Sequence, residues 1–440
     1  MKSFYLNKIV YYIGGAAAVL FMAGYFMPVL YALATAVLIC LFIAVGIDLG
    51  LLYARKAGIV ATRQLAERLS LGDHNPVSLF ISNRYHFAAS VLVIDELPVQ
   101  LQITDWERRM RVPAGVSETI DYTVQPLTRG VYHFENINVI VTGPLKLAKR
   151  HYAIAARHSA KVYPSFVQMR RYQMLAATNR LQEAGIKRIR RLGHSSEFEQ
   201  IKEYVQGDDY RTINWKATGR KGNLMINSYT DEKSQQIYCV INKGRVMKMP
   251  FDGMTLLDHA INASLVLANI AMIKQDKAGL ITFAQKTDTF LTADKKRGQM
   301  NLILEALYQQ QTDYLEADYE RLYALIRGRV TSRGLVVLFT NFESLESLKR
   351  EMPAFKKIAH YHLLLIVFFE NTALRALTNT AADDLEQVYV KAIAEKFVFE
   401  KKQMVKELHQ NGILSVLTTP EQLTVNTINK YLELKNRNYI

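Results

Sequence analysis

The segment from Ile9 to Ile47 contains no Asp, Glu, Lys, Arg or His. A helix that crosses a bilayer needs about 20 mostly apolar residues, so this segment is long enough for two crossings. Pro28 lies near its middle, where a proline would interrupt a continuous helix and favours a reversal of the chain. The sequence therefore predicts a transmembrane helical hairpin within residues 1–55, with helices near 9–27 and 29–52.

The basic residues that flank this hairpin predict its orientation. Lys2 and Lys8 precede the first helix, whereas Arg55, Lys56 and Arg63 follow the second. Positive residues next to membrane helices stay mainly in the cytoplasm, so both termini and the soluble domains are expected there. A signal peptide is the alternative, but its apolar region spans only about 7 to 15 residues and ends at a small-residue cleavage site.

The composition of the whole chain is that of a folded protein. The chain has 440 residues, of which 50% are hydrophobic and 22% charged, and this length favours two or three domains. Wholesale disorder, collagen and coiled coil are excluded. Cys40 and Cys239 are the only cysteines, so neither a disulfide framework nor a cysteine-based zinc site is available. The net charge of +15 is compatible with nucleic acid, an anionic membrane surface or an acidic protein partner.

Residues 56–165 are predicted to form an all-β domain. Short alternating or β-rich runs, such as 77–81, 90–94, 119–124 and 136–141, are separated by turn signals. This pattern is typical of an antiparallel sandwich of about 100 residues.

Residues 166–233 are interpreted as a basic helical linker followed by a signature segment. Up to residue 191 the periodicity is helical, and Glu183 is the only acid among the basic residues Arg170, Arg171, Arg180, Lys187, Arg188, Arg190 and Arg191. Such a segment could bind phosphates or anionic lipid, or form a solvated linker face. No nucleic acid is expected to bind, because no helix-turn-helix, zinc finger or aromatic-interleaved strand accompanies the basic residues.

Residues 234–440 alternate apolar strands with long helices. Near-continuous apolar runs at 237–241, 279–283, 335–339, 362–368 and 412–417 indicate buried parallel strands. The prediction is a doubly wound α/β domain with helices on both faces of a parallel sheet.

The segment from Glu197-Phe198-Glu199 through Gly207-Asp208-Asp209 to Arg211, Trp215, Lys216 and Arg220 resembles the signature of the domain of unknown function 58 family. The resemblance implies a von Willebrand factor type A-like α/β domain, an immunoglobulin-like β-sandwich and a membrane hairpin in the bacterial inner membrane. It also implies a protein partner, either a MoxR-type AAA+ ATPase or another von Willebrand A-type protein.

Two interpretations of this signature segment stay open. Arg211, Lys216 and Arg220 could pair with nearby acids in a buried brace that docks the segment on the α/β domain, which is the favoured interpretation. The alternative is a partner-docking surface with Trp215 as a large rigid contact. The acids available for the brace are Glu197, Glu199, Glu203, Asp208 and Asp209.

The resemblance also raises the question of a metal site. Von Willebrand A-type domains that bind Mg²⁺ use an Asp-x-Ser-x-Ser loop after the first strand, since oxygen ligands suit a hard cation. This chain has Asn242, Gly244 and Val246 at those positions, and Asn341 where a later Asp is expected. The site is interpreted as degenerate, so no metal and no other cofactor is expected. The cations Lys243 and Arg245, together with Glu343, are instead predicted to bind an acidic partner.

No sequence motif supports an enzyme. The nucleotide-binding, zinc-protease and serine-hydrolase patterns are all absent. His360 and His362 lack a third ligand, and Asp208 and Asp209 are adjacent in an ordinary turn sequence. The predicted function is a membrane-anchored, non-enzymatic scaffold or adaptor that binds a partner protein. The alternatives are a metal-dependent adhesion-type binding protein and an enzyme of the cell envelope.

Overall fold

The computed structural model describes residues 4–177, 180–186, 197–230, 234–312, 314–379, 384–437 and 439. The chain divides into two compact units, Met1–Tyr163 and Pro164–Ile440. The first unit contains an apolar helical hairpin and a β-rich region. The second is mixed α/β.

The predicted helical hairpin is present. After a short strand β1 (Phe4–Leu6), helix α1 spans Lys8–Gly24 and helix α2 spans Pro28–Tyr53. Pro28 occupies the first turn of α2, where its missing N–H costs no hydrogen bond. Gly24 allows the two helices to approach closely, because a Cβ there would lie 2.9 Å from the backbone nitrogen of Tyr31. Among the described helices, α2 and the mostly buried helix Leu256–Ile273 of the second unit are long and apolar enough to cross a membrane, and α1 is a shorter apolar helix of 17 residues.

The β-rich region of the first unit holds three sheets, in the orders β1-β10-β9-β5-β6, β2-β4-β7 and β3-β11-β8. The strands are β2 (Ile59–Gln64), β3 (Arg68–Ser70), β4 (Asn75–Asn83), β5 (Ala89–Asp95), β6 (Glu107–Val112), β7 (Ser117–Val124), β8 (Gly130–Phe134), β9 (Ile137–Thr142), β10 (Ala148–Ile154) and β11 (His158–Tyr163). Alternate residues of β4, β5 and β9 are buried, and they contribute to one core between the first two sheets. This burial accounts for the alternating pattern in the sequence.

One residue that was assigned to the membrane flank lies inside this β-rich region. Arg63 is in β2, its side chain is 1% exposed, and it forms an ion pair with the buried Asp95, which also accepts from the Tyr122 hydroxyl. Its guanidinium donates to the carbonyl of Ala156 at 2.7 Å. The use of Arg63 as an exposed juxtamembrane cation was therefore wrong, because its charge is neutralised within the core.

The second unit is built on a six-stranded sheet in the order β18-β17-β14-β19-β20-β21. Its strands are β14 (Gln236–Asn242), β17 (Lys277–Phe283), β18 (Thr287–Asp294), β19 (Leu335–Phe339), β20 (Leu363–Phe369) and β21 (Leu414–Thr418). All neighbours pair in parallel except β17 and β18, which are antiparallel. The predicted α/β class with a parallel sheet is confirmed, but the antiparallel edge strand β18 was not predicted.

Helices cover both faces of this sheet. They are α3 (Phe166–Ala177), α5 (Leu256–Ile273), α6 (Gln299–Tyr308), α7 (Tyr319–Arg329), α8 (Leu345–Tyr361), α9 (Thr372–Asn379), α10 (Leu385–Gln410) and α11 (Leu423–Asn436). Two apolar cores form because successive residues of a strand point to opposite faces. In β14, Ile237, Cys239 and Ile241 join the core with α5, α6 and α11, whereas Tyr238 and Val240 join the core with α7, α8 and α10.

Within the predicted linker, α3 packs against α5, and Met169 and Tyr172 contact the first of these cores. The basic residues Lys187, Arg188, Arg190 and Arg191 lie outside the described residues. The signature segment contains strand β12 (Glu197–Glu203), helix α4 (Trp215–Lys221) and strand β13 (Met225–Thr230). A two-stranded hairpin of β15 (Pro250–Phe251) and β16 (Met254–Thr255) precedes α5.

Candidate functional site

The switch point of the sheet lies between β14 and β19. After β14 the chain fills one side of the sheet with β17 and β18, and it then returns to the other side with β19. Ligands of open α/β sheets bind outside the carboxyl ends of strands that flank such a point. Asn242 ends β14 and Thr340 directly follows β19, so both residues lie at this edge.

A closed hydrogen-bond network occupies the switch point. The Asn242 amide donates to the hydroxyls of Thr340 at 2.9 Å and Tyr319 at 3.1 Å, and those two hydroxyls are 2.7 Å apart. The Asn242 Oδ1 accepts from the backbone N–H of Gly244 at 2.7 Å. All three side chains are buried, and burial raises the pKa of Tyr319 well above its usual value. Both amide N–H groups and the Oδ1 atom of Asn242 therefore already have partners inside the protein.

This network does not fit a divalent cation. Mg²⁺ needs oxygen ligands, usually including carboxylates, with room for several waters. Here an amide N–H group, rather than an oxygen, faces the hydroxyls of Tyr319 and Thr340, and Asn242 Oδ1 is taken by a backbone donor. Gly244 and Val246 bring no side-chain oxygen, and the Asn341 Oδ1 accepts from Lys401 at 2.7 Å. Within the described residues, no cluster of three or more His, Cys, Asp or Glu side chains could hold a metal ion.

The structure changes the interpretation of Lys243. This residue was predicted to be an exposed docking cation, but it is only 5% exposed and forms an ion pair with Asp288. Its backbone N–H donates to Phe283 at the end of β17, which draws the loop onto the sheet. An exposed role for Lys243 was wrong, because the loop folds inward between neighbouring strand ends.

Arg245 and Glu343 do lie at the surface, but they pair with each other. The Arg245 guanidinium is 3.3 Å from both carboxylate oxygens of Glu343 and 3.8 Å from Glu316. Arg350 continues this chain of charges, at 3.8 Å from Glu316 and 2.9 Å from Glu351. Alternating ion pairs thus cover the surface outside the switch point, where a cleft of about 60 Å³ remains.

A larger apolar cavity of about 240 Å³ lies beside this cleft, at the carboxyl ends of β19 and β20. Its lining includes Phe251, Phe342, Phe369, Leu374 and Phe397, together with Lys401. Lys401 donates to Asn341 Oδ1 and to the carbonyl of Phe342, both at 2.7 Å. Burial lowers its pKa to about 8. Lys401 was not predicted as a site residue, since a lone lysine in a long helix carries no local signal.

The signature segment forms a small hairpin with its own helix. Strands β12 and β13 pair antiparallel, and α4 and a short helical turn at Tyr210–Thr212 connect them. Asn214 begins α4 by accepting from the N–H of Ala217, and its amide reaches Asn227 of β13 at 2.8 Å. Gly207 has φ 114°, a conformation that favours glycine in the connecting turn.

The acids of this segment serve the local backbone. Asp208 accepts from the N–H of Val205 at 3.1 Å, which lowers its pKa, and it pairs with Lys202 at 3.3 Å. Asp209 accepts from the N–H of Arg211 at 2.9 Å. Glu197, Phe198 and Glu199 belong to β12, and the placement of their side chains lies outside the described residues.

The basic and aromatic side chains of the segment are instead exposed. Trp215 is 71% exposed and Tyr210 is 68% exposed, and Arg211, Lys216 and Arg220 are also on the surface. None of these three cations forms an ion pair with a carboxylate in the described part of the chain; Arg211 only stacks over Tyr210. The described cations therefore do not form the buried brace with Glu203, Asp208 or Asp209, whereas the side chains of Glu197 and Glu199 lie outside the described residues. We call the set of Tyr210, Arg211, Trp215, Lys216 and Arg220 the signature surface.

The fold and these surfaces define a class of protein with an N-terminal apolar hairpin, a β-rich unit and an α/β unit with a closed switch point. Residues 200–374 match the model of the family described as protein of unknown function DUF58. The resemblance to this family that the signature segment predicts is confirmed over those residues.

Comparison with individual proteins gives more distant matches. The uncharacterized protein YeaD of Bacillus subtilis (strain 168) is 24% identical over 192 residues, which cover 42% of this chain and 47% of YeaD. The chain thus spans about half the length of this relative. The conserved hypothetical protein BatB of Bacteroides thetaiotaomicron has 12% identity over 46% of this chain and 98% of its own, with a TM-score of 0.30. The CARDB domain of PF1109 of Pyrococcus furiosus was solved in complex with di-metal ions. It is 9% identical to this chain, and the match covers 24% of this chain and 93% of that domain, with a TM-score of 0.18. At these TM-scores neither structure supports a conclusion about this chain.

Proposed function

We propose that this protein is a membrane-anchored, non-enzymatic scaffold or adaptor whose α/β unit binds a partner protein through the signature surface. The observation that carries the proposal is the exposure of Trp215, at 71%, beside the cations Lys216 and Arg220. Aromatic and arginine side chains dominate the binding energy of protein interfaces. Cations without an intramolecular acid favour an acidic partner and speed its approach.

The geometry of the switch point also favours a binding function over an enzymatic one. An active site needs a group that can reach a substrate, whereas Asn242, Tyr319 and Thr340 are saturated by one another. Asp208 and Asp209 hold backbone N–H groups of their own turns and do not form an acid-base pair.

The finer fold classes and the identity of the partner belong to the same proposal. The order of the parallel sheet, with its antiparallel edge β18, supports a von Willebrand A-like class for the α/β unit, and the two-sheet core supports an immunoglobulin-like class for the β-rich unit. Family resemblance points to a MoxR-type AAA+ ATPase, or to another von Willebrand A-type protein, as the partner. The apolar hairpin would anchor the chain in the bacterial inner membrane with both termini in the cytoplasm.

The test is affinity capture of the full chain from detergent-solubilised membranes, with quantitative mass spectrometry of the co-purified proteins. The variant Trp215→Ala/Lys216→Glu should capture at least about tenfold less of the main partner than the parent chain, as expected when a hot spot is removed. Lys356→Glu in α8 is the charge control, because Lys356 is also exposed and has no acidic partner in the described structure. Equal yields from the parent and the Trp215/Lys216 variant would rule out the signature surface as the docking site.

A further inference from the structure

Helix α10 presents an apolar face that continues beyond the core of the α/β unit. Val390, Ile393, Phe397, Lys401, Met404 and Leu408 follow one another at spacings of three and four residues, so they lie on one side of the helix. Met404 and Leu408, near the C-terminal end, are fully buried against the sheet. Val390, Ile393 and Phe397 are 42%, 39% and 42% exposed, so the same face emerges from the core toward the start of α10.

Lys401 lies where this face passes from exposed to buried. Lys401 lines the apolar cavity with Phe397 and with Leu374 of α9. Both of its hydrogen-bond acceptors are neutral, namely the amide oxygen of Asn341 and the carbonyl of Phe342. The two carboxylates in the cavity lining, Glu343 and Glu370, pair with Arg245 and Arg375 instead, and no carboxylate of the described residues pairs with Lys401. A partly buried cation without a counterion is unfavourable, and an added anion would relieve that cost.

We propose that the exposed face of α10 and the cavity bind an amphipathic helix of a protein partner, which places one acidic side chain beside Lys401. The distance from Val390 to Lys401 along α10 is about 16 Å at roughly 1.5 Å per residue, so about three turns of a partner helix would cover it. Such a helix buries apolar side chains in a groove through residues three and four apart. This site is separate from the signature surface, so it adds a second contact to the proposed function.

The charges of α10 favour a protein over a lipid surface. Helices that lie on anionic membranes carry a polar face rich in Lys and Arg. The exposed half of α10 alternates the acids Glu386 and Glu395 with the bases Lys391 and Lys396, so it has no cationic excess.

The test uses two synthetic fluorescent peptides of 15 residues with capped ends. Both have leucines at alternating spacings of three and four residues. The first peptide has one glutamate, and the second has a glutamine at the same position. Their binding to the full chain in phosphatidylcholine nanodiscs is followed by fluorescence anisotropy. We expect the glutamate peptide to bind at least about tenfold more tightly than the glutamine peptide. Lys401→Met should remove that difference, whereas Lys402→Met, its exposed neighbour, should keep it. Ile393→Glu should abolish binding of both peptides, and Trp215→Ala should change neither.

Several results would overturn the inference. Equal affinities of the two peptides for the parent chain would do so without any variant, so the test does not depend on the folding of Lys401→Met. A fluorophore can be attached at Tyr389→Cys in a chain whose Cys40 and Cys239 are replaced by serine. If a quencher carried by the lipid quenches this fluorophore, the start of α10 lies on lipid. A dimer in sedimentation that Ile393→Glu dissociates would make a second copy the occupant.

Discussion

At the scale of single residues, Asn242 closes the switch point of the sheet. An aspartate at this position would offer two oxygens to a cation, whereas the asparagine amide offers a donor group and one acceptor. The amide N–H groups donate to Tyr319 and Thr340, and the Oδ1 accepts from the backbone N–H of Gly244. The position has thereby become a structural link between β14, α7 and the end of β19.

Replacing Asn242 should cost more stability than removing the tyrosine hydroxyl. Asn242→Ala leaves a cavity and the buried N–H of Gly244 without its acceptor, so we expect a loss of about 2 to 4 kcal/mol. Tyr319→Phe leaves the Asn242 to Thr340 bond in place and should cost about 1 kcal/mol. Chemical denaturation of the full chain in detergent measures both changes. A larger loss for Tyr319→Phe would show that the tyrosine hydroxyl, rather than the amide, organises the network.

Lys401 should make the stability of the α/β unit depend on alkaline pH. Its pKa falls from the usual 10.5 to about 8 because the ammonium group is buried. Between these values the unfolded chain binds more protons than the folded chain, so the free energy of unfolding rises with pH. This gain in the free energy of unfolding is fully present above about pH 10.5 and is lost as the pH falls through about 8. The full gain is up to about 3 kcal/mol.

The measurement is the difference in free energy of unfolding between the parent and Lys401→Met, followed from pH 7 to pH 10. Groups that titrate in both chains cancel in this difference. It should shift in favour of the parent as the pH rises. Lys402→Met serves as the control and should show no such trend, because Lys402 is exposed. A difference that stays flat for Lys401→Met would mean that the ammonium group is solvated in the folded chain.

At the scale of elements, a buried carboxylate holds helix α2 on the β-rich region, in addition to the hydrogen bonds that Arg150 and Tyr85 donate to the Leu52 carbonyl. Asp48 lies near the end of α2, is fully buried, and accepts from the backbone N–H groups of Leu145, Leu147 and Ala148 at 2.9 to 3.0 Å. Gly143 allows this approach, since a Cβ there would lie 2.3 Å from Asp48 Oδ1. The apolar hairpin and the β-rich region therefore form a continuous structure without a flexible connection at this point.

Asp48→Ala should destabilise the first unit by at least about 3 kcal/mol, because three backbone N–H groups lose a charged acceptor. Asp48→Asn keeps one acceptor oxygen and should lose less. Asp105→Ala, at an exposed aspartate with no hydrogen bond in the described structure, should leave the melting temperature unchanged. Thermal melting of the detergent-solubilised chain compares the three variants. If Asp48→Ala melted with the parent, the carboxylate would not hold α2 to the β-rich region.

At the scale of the whole molecule, the charges around the apolar hairpin are the basis of the proposed cytoplasmic orientation. Arg55 follows α2, and its side chain donates to the carbonyl of Arg84 at 2.6 Å, so it is held at the surface of the β-rich region. Because Arg63 is buried, the orientation depends on Lys8, Arg55 and Lys56 among the described basic residues near the hairpin.

We expect a fusion after Ile440 to be fluorescent with a reporter that folds only in the cytoplasm, and inactive with a phosphatase that works only outside it. Replacing both Arg55 and Lys56 by glutamate should reduce the cytoplasmic signal, because the positive residues next to the second helix are lost. A phosphatase-positive parent fusion would reverse the topology and would place the signature surface outside the cytoplasm.

Local patterns were sufficient to predict most elements of the α/β unit. Helix α5 was predicted at 255–274 and spans Leu256–Ile273, and β19 has the predicted bounds of Leu335–Phe339. Both lie in the buried interior, where burial imposes a clear periodicity on the sequence. Strand β18 was missed because Thr287–Asp294 is a half-exposed edge strand rich in polar residues.

Residue types and neighbours within a few positions of the chain were enough to predict the apolar hairpin, the order of β-rich and α/β regions, the lack of a carboxylate at position 242 and the family signature. Tertiary contacts were needed to show that Lys243 is buried, that Trp215 is exposed and that Lys401 reaches a cavity. Those outcomes depend on contacts between remote segments, such as Asn242 with Thr340, 98 residues apart, and Lys401 with Asn341, 60 residues apart. Side-chain exposure is set by which elements pack together, and no local pattern encodes that packing.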